Sequence, residues 1–517
     1  MTEPALLTFN DFITHWATDR PSDIALSEDD RTTSFAQLNV LTEKVASALI
    51  AHGLKKGDRI AWLGKNSDLY FILFFGAARL GVVMVPVGWR LAPKEVAYIV
   101  NDTEARLLFT GPGFDAVARE MSDDLPHVEH VFSAEDARAW IANAASIPFT
   151  PSAEGEAVLQ LYTSGTTGNP KGAVLSNKNL FGLRSPAQQA GLPWSEWEDG
   201  EVALVAMPCA HIGGTGLGIM ALAAGVPGHV LAEFTPEGML DAVEFKGVTR
   251  FFAVPAALQM VINHPRAATT DFSRLKYIIY GAAPIPLELL RQCISVFGAQ
   301  FLQAYGMTET TGTIVMLWPE DHDPNGNIRM RAAGRALPGV ELKIVDEAGG
   351  EVPTGEVGEI MTRSSNNMLH YWKLPEATAK TVTDDGWVHT GDAGYLDADN
   401  YLFIHDRVKD MIITGGENVY PAEVESAIYG HPAVAEVAVI GVPDDIWGEA
   451  VKACCVPKPG MEIDPADVIA WARERIAAFK APKSVDVIPI MPRNASGKIL
   501  RKDLRAPYWA GRERQVN

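Results

Sequence analysis

Residues 162–172 read Tyr-Thr-Ser-Gly-Thr-Thr-Gly-Asn-Pro-Lys-Gly, a short loop rich in hydroxyl groups and glycine with a single lysine, Lys171. The apolar run before it, residues 157–161, predicts a buried strand that leads into the loop. Glycines let a backbone approach a ligand and turn its N–H groups toward it, and the hydroxyls and lysine add further donors, so the loop suits a polyphosphate. Pro170 stands where a Walker A loop needs its second glycine, which excludes that motif. A plain Ser/Thr/Gly surface turn is the alternative interpretation of the loop alone.

Further motifs follow the loop along the chain. They are Tyr305-Gly306-Met307-Thr308-Glu309, His389-Thr390-Gly391-Asp392, Asp406-Arg407-Val408-Lys409-Asp410 and Pro492-Arg493-Asn494-Ala495-Ser496-Gly497-Lys498. Together with the loop, they resemble the signature motifs of the adenylate-forming superfamily: acyl-CoA synthetases, adenylation domains of peptide synthetases and luciferase-like enzymes. The resemblance extends from about residue 34 to residue 505, with every motif in the family's order. It is greatest to fatty-acid or aryl acid–CoA ligases.

Composition narrows the classes of partner. The chain has 517 residues and a formal net charge of −20, which argues against nucleic acid as a ligand because phosphate backbones need basic surfaces. Anionic substrates must therefore be held by local lysines, arginines and N–H groups. The 4 cysteines argue against a disulfide framework, and no Cys/His cluster suggests a metal site.

No targeting or membrane-spanning segment is expected. The N-terminus has no basic region followed by an apolar stretch, so it does not resemble a signal peptide. Residues 202–232 carry no Lys, Arg, Asp or Glu and are long enough to span a bilayer, but prolines and glycines interrupt them repeatedly. We predict a strand, a glycine-rich loop, a short buried helix and another strand here. A cytoplasmic protein follows, with peripheral membrane contact and homo-oligomer formation left open.

Strand-like and helical runs alternate through most of the chain, which predicts an α/β fold. Strands are expected at 59–63, 82–87, 106–110, 202–207, 251–254 and 277–280, and a helix at 68–80. We expect a large N-terminal domain of helix-covered parallel sheets. Within it, short strands between Asp/Gly-rich turns at 335–404 predict a small antiparallel or barrel-like region. The last hundred residues predict a small α+β domain. The resemblance implies that this C-terminal domain is mobile and puts its hinge at Lys409, dividing the chain into an AMP-binding domain, 1–408, and a domain with Lys498, 409–517.

The resemblance implies a role for each motif. Activating a carboxylate with ATP brings two anions together, which calls for a metal, a cation and preorganised donors. Glu309 is expected to bind Mg²⁺, Lys498 to act as the catalytic cation, and Thr308 to bind the α-phosphate. A solvated turn carboxylate and an exposed lysine are the structural alternatives for Glu309 and Lys498. The other predicted ATP- or AMP-binding residues are Thr163, Ser164, Gly165, Thr166, Thr167, Lys171, Gly281, Ala282, Ala283, Tyr305, Gly306, Asp392 and Arg407. Asp392 is expected at the ribose hydroxyls and Tyr305 against the adenine ring, while a surface ion pair is the alternative for Asp392 and Arg407.

The acid and the thiol acceptor are expected at two further places. His211 is predicted near both the acyl pocket and the thioester tunnel, and the acyl pocket is predicted to include Ile212, Gly213, Gly214, Val254 and Gln303. Cys209 and Ala210 replace larger residues that many relatives have, and they either leave room for a bulky acid or pack tightly against a neighbouring strand. Gly415, Gly416 and Glu417 resemble the loop that lines the pantetheine tunnel in relatives that use CoA.

The function expected from these residues is that of an acid–CoA ligase. ATP and an apolar carboxylate, either a medium- or long-chain fatty acid or an aryl acid, would give an acyl-adenylate and pyrophosphate, and CoA would then give acyl-CoA and AMP. A stand-alone adenylation enzyme that loads a carrier protein is the first alternative. A non-catalytic nucleotide-binding protein is the second, which the intact Lys171, Glu309, Asp392 and Lys498 argue against. An amino acid with two charges is disfavoured, because the expected pocket positions before Glu309 hold no charged residue.

Overall fold

A computed structural model describes residues 6–163, 170–283, 285–323, 325–407, 410–415, 417–493 and 499–510. Its strands are β1 Ile24–Glu28, β2 Arg31–Ser34, β3 Arg59–Leu63, β4 Val83–Val87, β5 Leu107–Thr110, β6 His130–Phe132, β7 Ala157–Thr163, β8 Lys171–Ser176, β9 Ala203–Val205, β10 Gly228–Val230, β11 Arg250–Ala253, β12 Tyr277–Gly281, β13 Gln300–Met307, β14 Gly312–Leu317, β15 Arg335–Ala336, β16 Glu341–Val345, β17 Gly358–Arg363, β18 His370–Tyr371, β19 Val388–Leu396, β20 Leu402–Arg407, β21 Ile412–Thr414, β22 Glu417–Val419, β23 Val434–Asp444, β24 Gly448–Pro457 and β25 Ser484–Val487.

The α-helices lie between these strands. They are α1 Phe9–Asp19, α2 Phe35–Ala51, α3 Asp68–Leu80, α4 Pro93–Asp102, α5 Asp115–Glu120, α6 Ala134–Asn143, α7 Asn177–Phe181, α8 Arg184–Gln189, α9 Ile212–Ala224, α10 Pro236–Phe245, α11 Pro255–Ile262, α12 Leu287–Phe297, α13 Pro375–Thr381, α14 Pro421–Tyr429, α15 Pro465–Arg473 and α16 Arg501–Trp509.

Two largely parallel sheets form the N-terminal part of the molecule. One is a 9-stranded sheet in the order β15-β14-β13-β12-β11-β9-β10-β1-β2, and the other is a 7-stranded sheet in the order β18-β8-β7-β4-β3-β5-β6. In both sheets the central pairs are parallel. The outer pairs β15-β14-β13, β1-β2 and β18-β8-β7 are antiparallel, whereas β6 at the other edge of the second sheet pairs parallel with β5. Parallel sheets need helices on their faces, so the predicted βα alternation and the α/β fold class are confirmed.

Helix α3 shows how the sequence fixes these layers. The Ser67 hydroxyl accepts a hydrogen bond from the Leu69 N–H at the start of the helix, and Gly81 ends it in the left-handed conformation. All 13 of its residues are buried, in a core that also contains α2 and strands of both parallel sheets. A helix that is buried on every side is stable only inside a large protein. The bounds of α3 are those that the sequence predicts.

Two smaller sheets follow, the first antiparallel and the second antiparallel except for β25, which pairs parallel with β24. Strands β16-β17-β19-β20 make a 4-stranded antiparallel sheet, which confirms the change of architecture predicted after residue 335. Strands β21 to β25 make a 5-stranded sheet that shares a separate core with α14 and α15. This sheet and its helices form the small α+β unit expected at the C-terminus. The domain boundary at Lys409 stays a prediction, because residues 408 and 409 lie outside the described ranges.

The uncharged segment 202–232 differs from the prediction in one respect. Its glycines do not form a loop before a short helix, because α9 begins at Ile212 and includes them. A Cβ atom at Gly214 would lie 2.3 Å from the carbonyl oxygens of Met207 and Pro208, so close packing of the helix start on the preceding turn requires glycine there. Across the part of the chain that the structure describes, no helix has both the length and the hydropathy needed to cross a membrane.

Candidate active site

A cavity of about 3130 Å³ lies where the parallel strands of both sheets end. Its wall combines the ends of β7, β12 and β13 with the start of α9, in keeping with the general placement of ligand sites at the carboxyl ends of parallel strands. Most of the predicted site residues line this one cavity. They are Thr163, Lys171, His211, Ile212, Gly213, Gly214, Val254, Ala282, Ala283, Gln303, Tyr305, Gly306, Thr308, Glu309 and Asp392.

Glu309 lies in a 3₁₀ turn, Thr308–Thr310, directly after β13. Its side chain is 6% exposed, and its Oε1 accepts a hydrogen bond of 2.6 Å from the Tyr371 hydroxyl. The Met368 N–H donates to the Glu309 carbonyl at 2.8 Å, which ties the turn to the segment before β18. Lys171 Nζ lies 4.3 Å from the centroid of the Tyr371 ring, so Tyr371 connects the end of the loop at 162–172 with the carboxylate.

The surroundings of Glu309 fit a divalent cation. Among the described residues, neither Lys nor Arg forms an ion pair with its carboxylate, although the group is buried. A buried carboxylate without a cationic partner is costly, and a bound cation removes that cost. In the same part of the chain no three His, Cys, Asp or Glu side chains cluster as a metal site. Mg²⁺ suits this donor set, because it takes one or two carboxylates and completes its coordination with phosphate oxygens and water.

Tyr305 and Asp392 come together from different sheets. The Tyr305 hydroxyl donates to Asp392 Oδ2 at 2.8 Å, across 87 residues of sequence. Asp392 is 9% exposed, and its N–H donates to the Thr390 hydroxyl at 3.1 Å. This arrangement leaves a fixed carboxylate and an aromatic ring side by side, which suits a ribose next to a flat base.

Glu359 holds the part of β19 directly before Asp392, although sequence reasoning missed it. Its carboxylate accepts from the Gly391 N–H at 3.1 Å and lies 2.9 Å from Nδ1 of His389. Tyr371 and Glu359 both act through residues distant in sequence. No local pattern singles them out, because their contacts exist only once β17 has paired with β19 and β18 with β8.

The backbone is tightly packed at the end of β13 and in a left-handed conformation just after β12. Ala282 has φ +63°, a left-handed conformation that is uncommon for a residue with a side chain. A Cβ atom at Gly306 would lie 1.8 Å from the Gly312 carbonyl oxygen, so the β13–β14 hairpin can close only with glycine there. Gly281 ends β12 just before Ala282 and Ala283, which line the cavity.

The part of the cavity next to His211 is apolar. His211 caps the start of α9, and burial together with the nearby positive charge of Arg90 lowers its pKa to about 4. Gly213 faces Phe252, because a Cβ atom at Gly213 would lie 2.8 Å from Phe252 Cε1. The wall continues from Phe252 through a small apolar cluster. That cluster consists of Ile279, Leu302 and Met316, with Trp194, Tyr277, Ala304, Trp318 and Leu337 packed against it.

Cys209 and Ala210 pack in the interior. They are 2% and 7% exposed, and the Cys209 N–H donates to Asn66 Oδ1 at 2.8 Å while its carbonyl accepts from the Thr215 hydroxyl at 2.7 Å. Of the two alternatives left open by the sequence, tight packing describes these residues. Gly213 and Phe252, by contrast, both line the cavity.

Gln303 lies on the other face of its strand from the apolar wall. Residues 302 and 304 belong with the cluster around Ile279, whereas Phe301 packs in the core that contains Tyr280. Since side chains alternate along a strand, Gln303 shares the face of Phe301, and its Oε1 accepts a hydrogen bond of 3.0 Å from the Tyr280 hydroxyl. Its predicted place in the acyl pocket is therefore not supported by a contact with the apolar wall.

Some predicted residues lie elsewhere or outside the described ranges. Gly415 and Glu417 lie in the β21–β22 hairpin, where the Gly415 N–H donates to the Trp447 carbonyl at 2.9 Å and Thr414 pairs with Glu417. Arg407 ends β20, and its backbone pairs with Asp392. Ser164, Gly165, Thr166, Thr167, Lys409, Gly416 and Lys498 fall outside the described residues, so their roles stay predictions.

Comparisons with known proteins show the family. Residues 13–372 match the family described as AMP-binding enzyme, and residues 423–498 match the AMP-binding enzyme C-terminal domain. A fatty acid–[acyl-carrier-protein] ligase, ScoC, from Streptomyces coeruleorubidus is 41% identical over 522 residues, which cover 99% of this chain and 99% of that protein. A feruloyl-CoA synthase from an Amycolatopsis species is 35% identical over 500 residues, covering 94% of this chain and 96% of the relative. Among solved structures, ATP-bound MatB from Rhodopseudomonas palustris has a TM-score of 0.86 at 31% identity, covering 97% of this chain and 99% of that one.

Proposed function

The chain belongs to the AMP-binding enzyme family, and we propose that within it the protein is an acid–CoA ligase acting on an apolar carboxylic acid. As a family member it is an ATP-dependent, AMP-forming acid–thiol ligase. The proposal adds two assignments. The acid is a medium- or long-chain fatty acid or an aryl acid, and the acceptor of the acyl group is CoA. The observation that carries it is one cavity in which Lys171, Glu309, Tyr305 and Asp392 adjoin an apolar wall headed by Phe252.

We assign the nucleotide to the polar part of this cavity. Asp392 would accept hydrogen bonds from the ribose, beside the Tyr305 ring, and Thr308 and Lys171 would face the phosphates. Glu309 would hold Mg²⁺, which supplies positive charge for the negative charge that develops on the phosphates. Tyr371 keeps the Glu309 carboxylate oriented by its hydrogen bond of 2.6 Å. Lys498, delivered by the C-terminal domain, would be the cation at the reacting carboxylate.

The acid would occupy the space between Gly213 and Phe252, next to a neutral His211. With its pKa lowered to about 4, His211 is uncharged at neutral pH and offers the acid no positive charge. The deeper wall is aliphatic and aromatic. Arg250 lines the cavity too, but its guanidinium is 3% exposed and paired with the Glu201 carboxylate, so it has no free charge for a second anionic group. These surroundings favour acids with neutral tails.

A carrier protein is the second candidate for the acceptor. It is favoured by one specific observation, the 41% identity to a ligase named for fatty acids and acyl-carrier protein. A free pantetheine thiol and a carrier-bound one are chemically identical, so the ligase core cannot distinguish them. The difference must lie at the surface around the tunnel entrance.

A single assay design tests both parts of the proposal. Purified protein is given ATP, Mg²⁺ and each of a panel of fatty, aryl and dicarboxylic acids, with CoA or with a pantetheinylated carrier protein as acceptor. AMP release and thioester formation are measured together. We expect the largest AMP release with a neutral-tailed acid and CoA. If a dicarboxylate is the best substrate, the assignment of a neutral-tailed acid is refuted. If thioester forms only on the carrier protein, the assignment of CoA as the acceptor is refuted.

A further inference from the structure

A single arginine side chain holds the segment between α8 and β9. Arg250 begins β11, and it is 3% exposed. One terminal nitrogen of its guanidinium donates to the Trp194 carbonyl at 2.7 Å, and the other donates to the Glu196 carbonyl. The same group forms two hydrogen bonds with the Glu201 carboxylate, one of them of 2.9 Å. Three positions of the segment 194–201 therefore meet at one guanidinium.

Two aromatic rings and a neighbouring lysine keep this guanidinium in place. Its carbon atom lies 4.2 Å from the centroid of the Trp197 ring and 4.5 Å from that of the Tyr277 ring. A planar guanidinium stacks well on such rings, which an ammonium group cannot do in the same way. Lys276 Nζ donates to the Glu201 carboxylate at 3.0 Å, so two cations share this buried charge. Arg250 is thus a fixed point to which the segment is attached.

The backbone of this segment makes mainly local hydrogen bonds. The N–H groups of residues 195, 196 and 201 each donate to the carbonyl three residues earlier. Such turns shape the segment but do not fix its position relative to the sheet. At its far end, Glu198 pairs with Lys276 and Asp199 pairs with Arg20. At the near end, beside Trp194, the hydrogen bonds from Arg250 attach the backbone to the sheet.

The near end matters because Trp194 lines the cavity. Its ring packs against the cluster around Ile279, the same apolar cluster that Phe252 contacts. Its indole nitrogen is buried and has no hydrogen-bond partner in the part of the chain that the structure describes. The position of the ring therefore depends on apolar packing and on the backbone that carries it. Arg250 holds that backbone by its carbonyl oxygen.

We propose that Arg250 is a positioning residue that limits the size of the acid. By attaching residues 194–197 to the sheet, it keeps the Trp194 ring against the apolar cluster, where the ring takes up space that a longer acid would need. When the attachment is lost, the ring can move outward and the space can lengthen. The inference rests on the proposed acid site beside Phe252, and it adds a residue that acts on acid selection without contacting the acid.

Arg250→Lys separates the attachment from the charge. Lysine keeps a positive charge beside Glu201, but its ammonium group cannot reach two carbonyls and a carboxylate together as the planar guanidinium does. We expect the kcat/KM of long-chain saturated acids, relative to medium-chain ones, to rise by about tenfold, the lower end of what one methylene group is worth in an apolar pocket. The change should appear in the KM for the acid, while the KM for ATP stays the same. AMP release is measured across the series, acid affinity by titration calorimetry, and the mobility of residues 192–201 by amide hydrogen exchange, which should become faster.

Further variants show whether Arg250 acts through Trp194. Trp194→Ala removes the ring and should change the order of acids in the same direction. Adding Arg250→Lys to Trp194→Ala should then change it no further, because residues that act through one contact are not additive. If Arg250→Lys fails to fold, Arg250→Met combined with Glu201→Gln takes its place, since that pair leaves no buried carboxylate without its partner.

Arg79→Lys is the matched control. Arg79 is also 3% exposed, and its guanidinium donates to the Asn39 carbonyl at 3.2 Å and to the Thr42 hydroxyl at 2.9 Å, in the core between α2 and α3. The loss of this buried guanidinium should lower the temperature of thermal unfolding without changing the order of acids. A change of order in Arg79→Lys equal to that in Arg250→Lys would show a general effect of lost stability and overturn the proposal.

The outcomes also separate this inference from the proposed ligase activity. Unchanged amide exchange at residues 192–201 in Arg250→Lys would overturn the attachment. Faster exchange with the wild-type order of acids, or additive changes in the variant that also carries Trp194→Ala, would overturn the role in acid selection. If the wild type releases no AMP with any acid, the ligase proposal fails, while the calorimetric affinities for the acids and the exchange data still judge the role of Arg250. If the wild type also binds no acid, both fail.

Discussion

The hydroxyl of Tyr371 donates a hydrogen bond of 2.6 Å to Oε1 of Glu309, although the two residues are separated by 62 positions in sequence. Both side chains are buried, at 3% and 6% exposure, beside the end of the loop that carries Lys171. The bond fixes one carboxylate oxygen, and we expect the other to face the proposed cation. It therefore joins three parts of the chain that the proposed chemistry needs together.

Removing the Tyr371 hydroxyl should raise the magnesium concentration that the enzyme requires, without abolishing catalysis. In Tyr371→Phe the Glu309 carboxylate loses a charge-assisted hydrogen bond of about 1.5 to 3 kcal/mol, so we expect a severalfold higher magnesium requirement. Glu309→Gln should lose magnesium-dependent turnover altogether, since a neutral amide is a poor ligand for a hard cation. Pyrophosphate release is measured as a function of free magnesium. Tyr401→Phe is the matched control, because its buried hydroxyl contacts Asp321 at 2.9 Å. An unchanged magnesium response in both Tyr371→Phe and Glu309→Gln would contradict the assignment.

Lys498 should be needed for adenylation far more than for thioester formation. Its charge would meet the developing negative charge only in the first half-reaction, where loss of one such interaction often costs roughly 10²–10³ in rate. Lys498→Ala should therefore stop pyrophosphate release yet still convert a supplied acyl-adenylate with CoA. Lys502→Ala, four residues further along the chain in α16, is the control for a general loss of charge. Equal losses in the two half-reactions would remove Lys498 from this role.

Lys409 should act as the hinge about which the C-terminal domain changes its orientation between the two half-reactions. The segment with Lys498 and the loop at 415–417 belong to one small unit, and one rigid orientation is unsuited to presenting both to the cavity. Lys409→Pro fixes φ and removes an N–H at this point. We expect adenylate formation to persist and thioester formation to be crippled, with the two steps measured separately. Parallel losses, or none, would show an ordinary turn residue.

The side chain of Phe252 should set the size of the acid. Phe252→Ala removes the ring that faces Gly213, so bulkier acids should gain in kcat/KM relative to small ones while the KM for ATP changes little. Phe251→Ala is the matched control, because Phe251 is buried in the core on the other face of β11, and its loss should lower stability by about 3 to 5 kcal/mol without altering the order of acids. The readout is AMP release across the acid panel. The same order of acids in both variants would place the acid elsewhere.

Lowering the pH should reduce the free energy of unfolding, and part of this loss should come from His211. Its pKa is lowered from 6.5 to about 4 by burial and the charge of Arg90, so the folded protein binds fewer protons than the unfolded chain in this interval. The stability that the neutral ring contributes is complete above pH 6.5 and is lost as the pH falls through 4. His211→Gln should therefore show a flatter fall in unfolding free energy between pH 7 and pH 5 in urea titrations. A steeper fall in the variant would contradict the sign of the shift.

The sequence by itself determined the family and the layers of the fold. The five motifs identify an adenylate-forming enzyme, and the buried runs at 59–63 and 68–80 become β3 and α3 with the predicted bounds. Local signals are strong at these places, because uninterrupted apolar runs, caps and glycines act over a few residues. Local signals fail in α9. Glycines usually mark a loop, but Gly214 lies in this helix because it packs closely against Met207 and Pro208.

Only the tertiary structure decided which residues meet. The contacts of Tyr371 with Glu309, Tyr305 with Asp392, and Tyr280 with Gln303 and His322 join separate elements, and no local pattern specifies them. The face on which Gln303 lies also depends on the strand register, since a shift of one residue would move its side chain to the apolar wall. The motifs identify which side chains the chemistry needs. The pairing of distant strands sets the distances between those side chains and the directions in which they point.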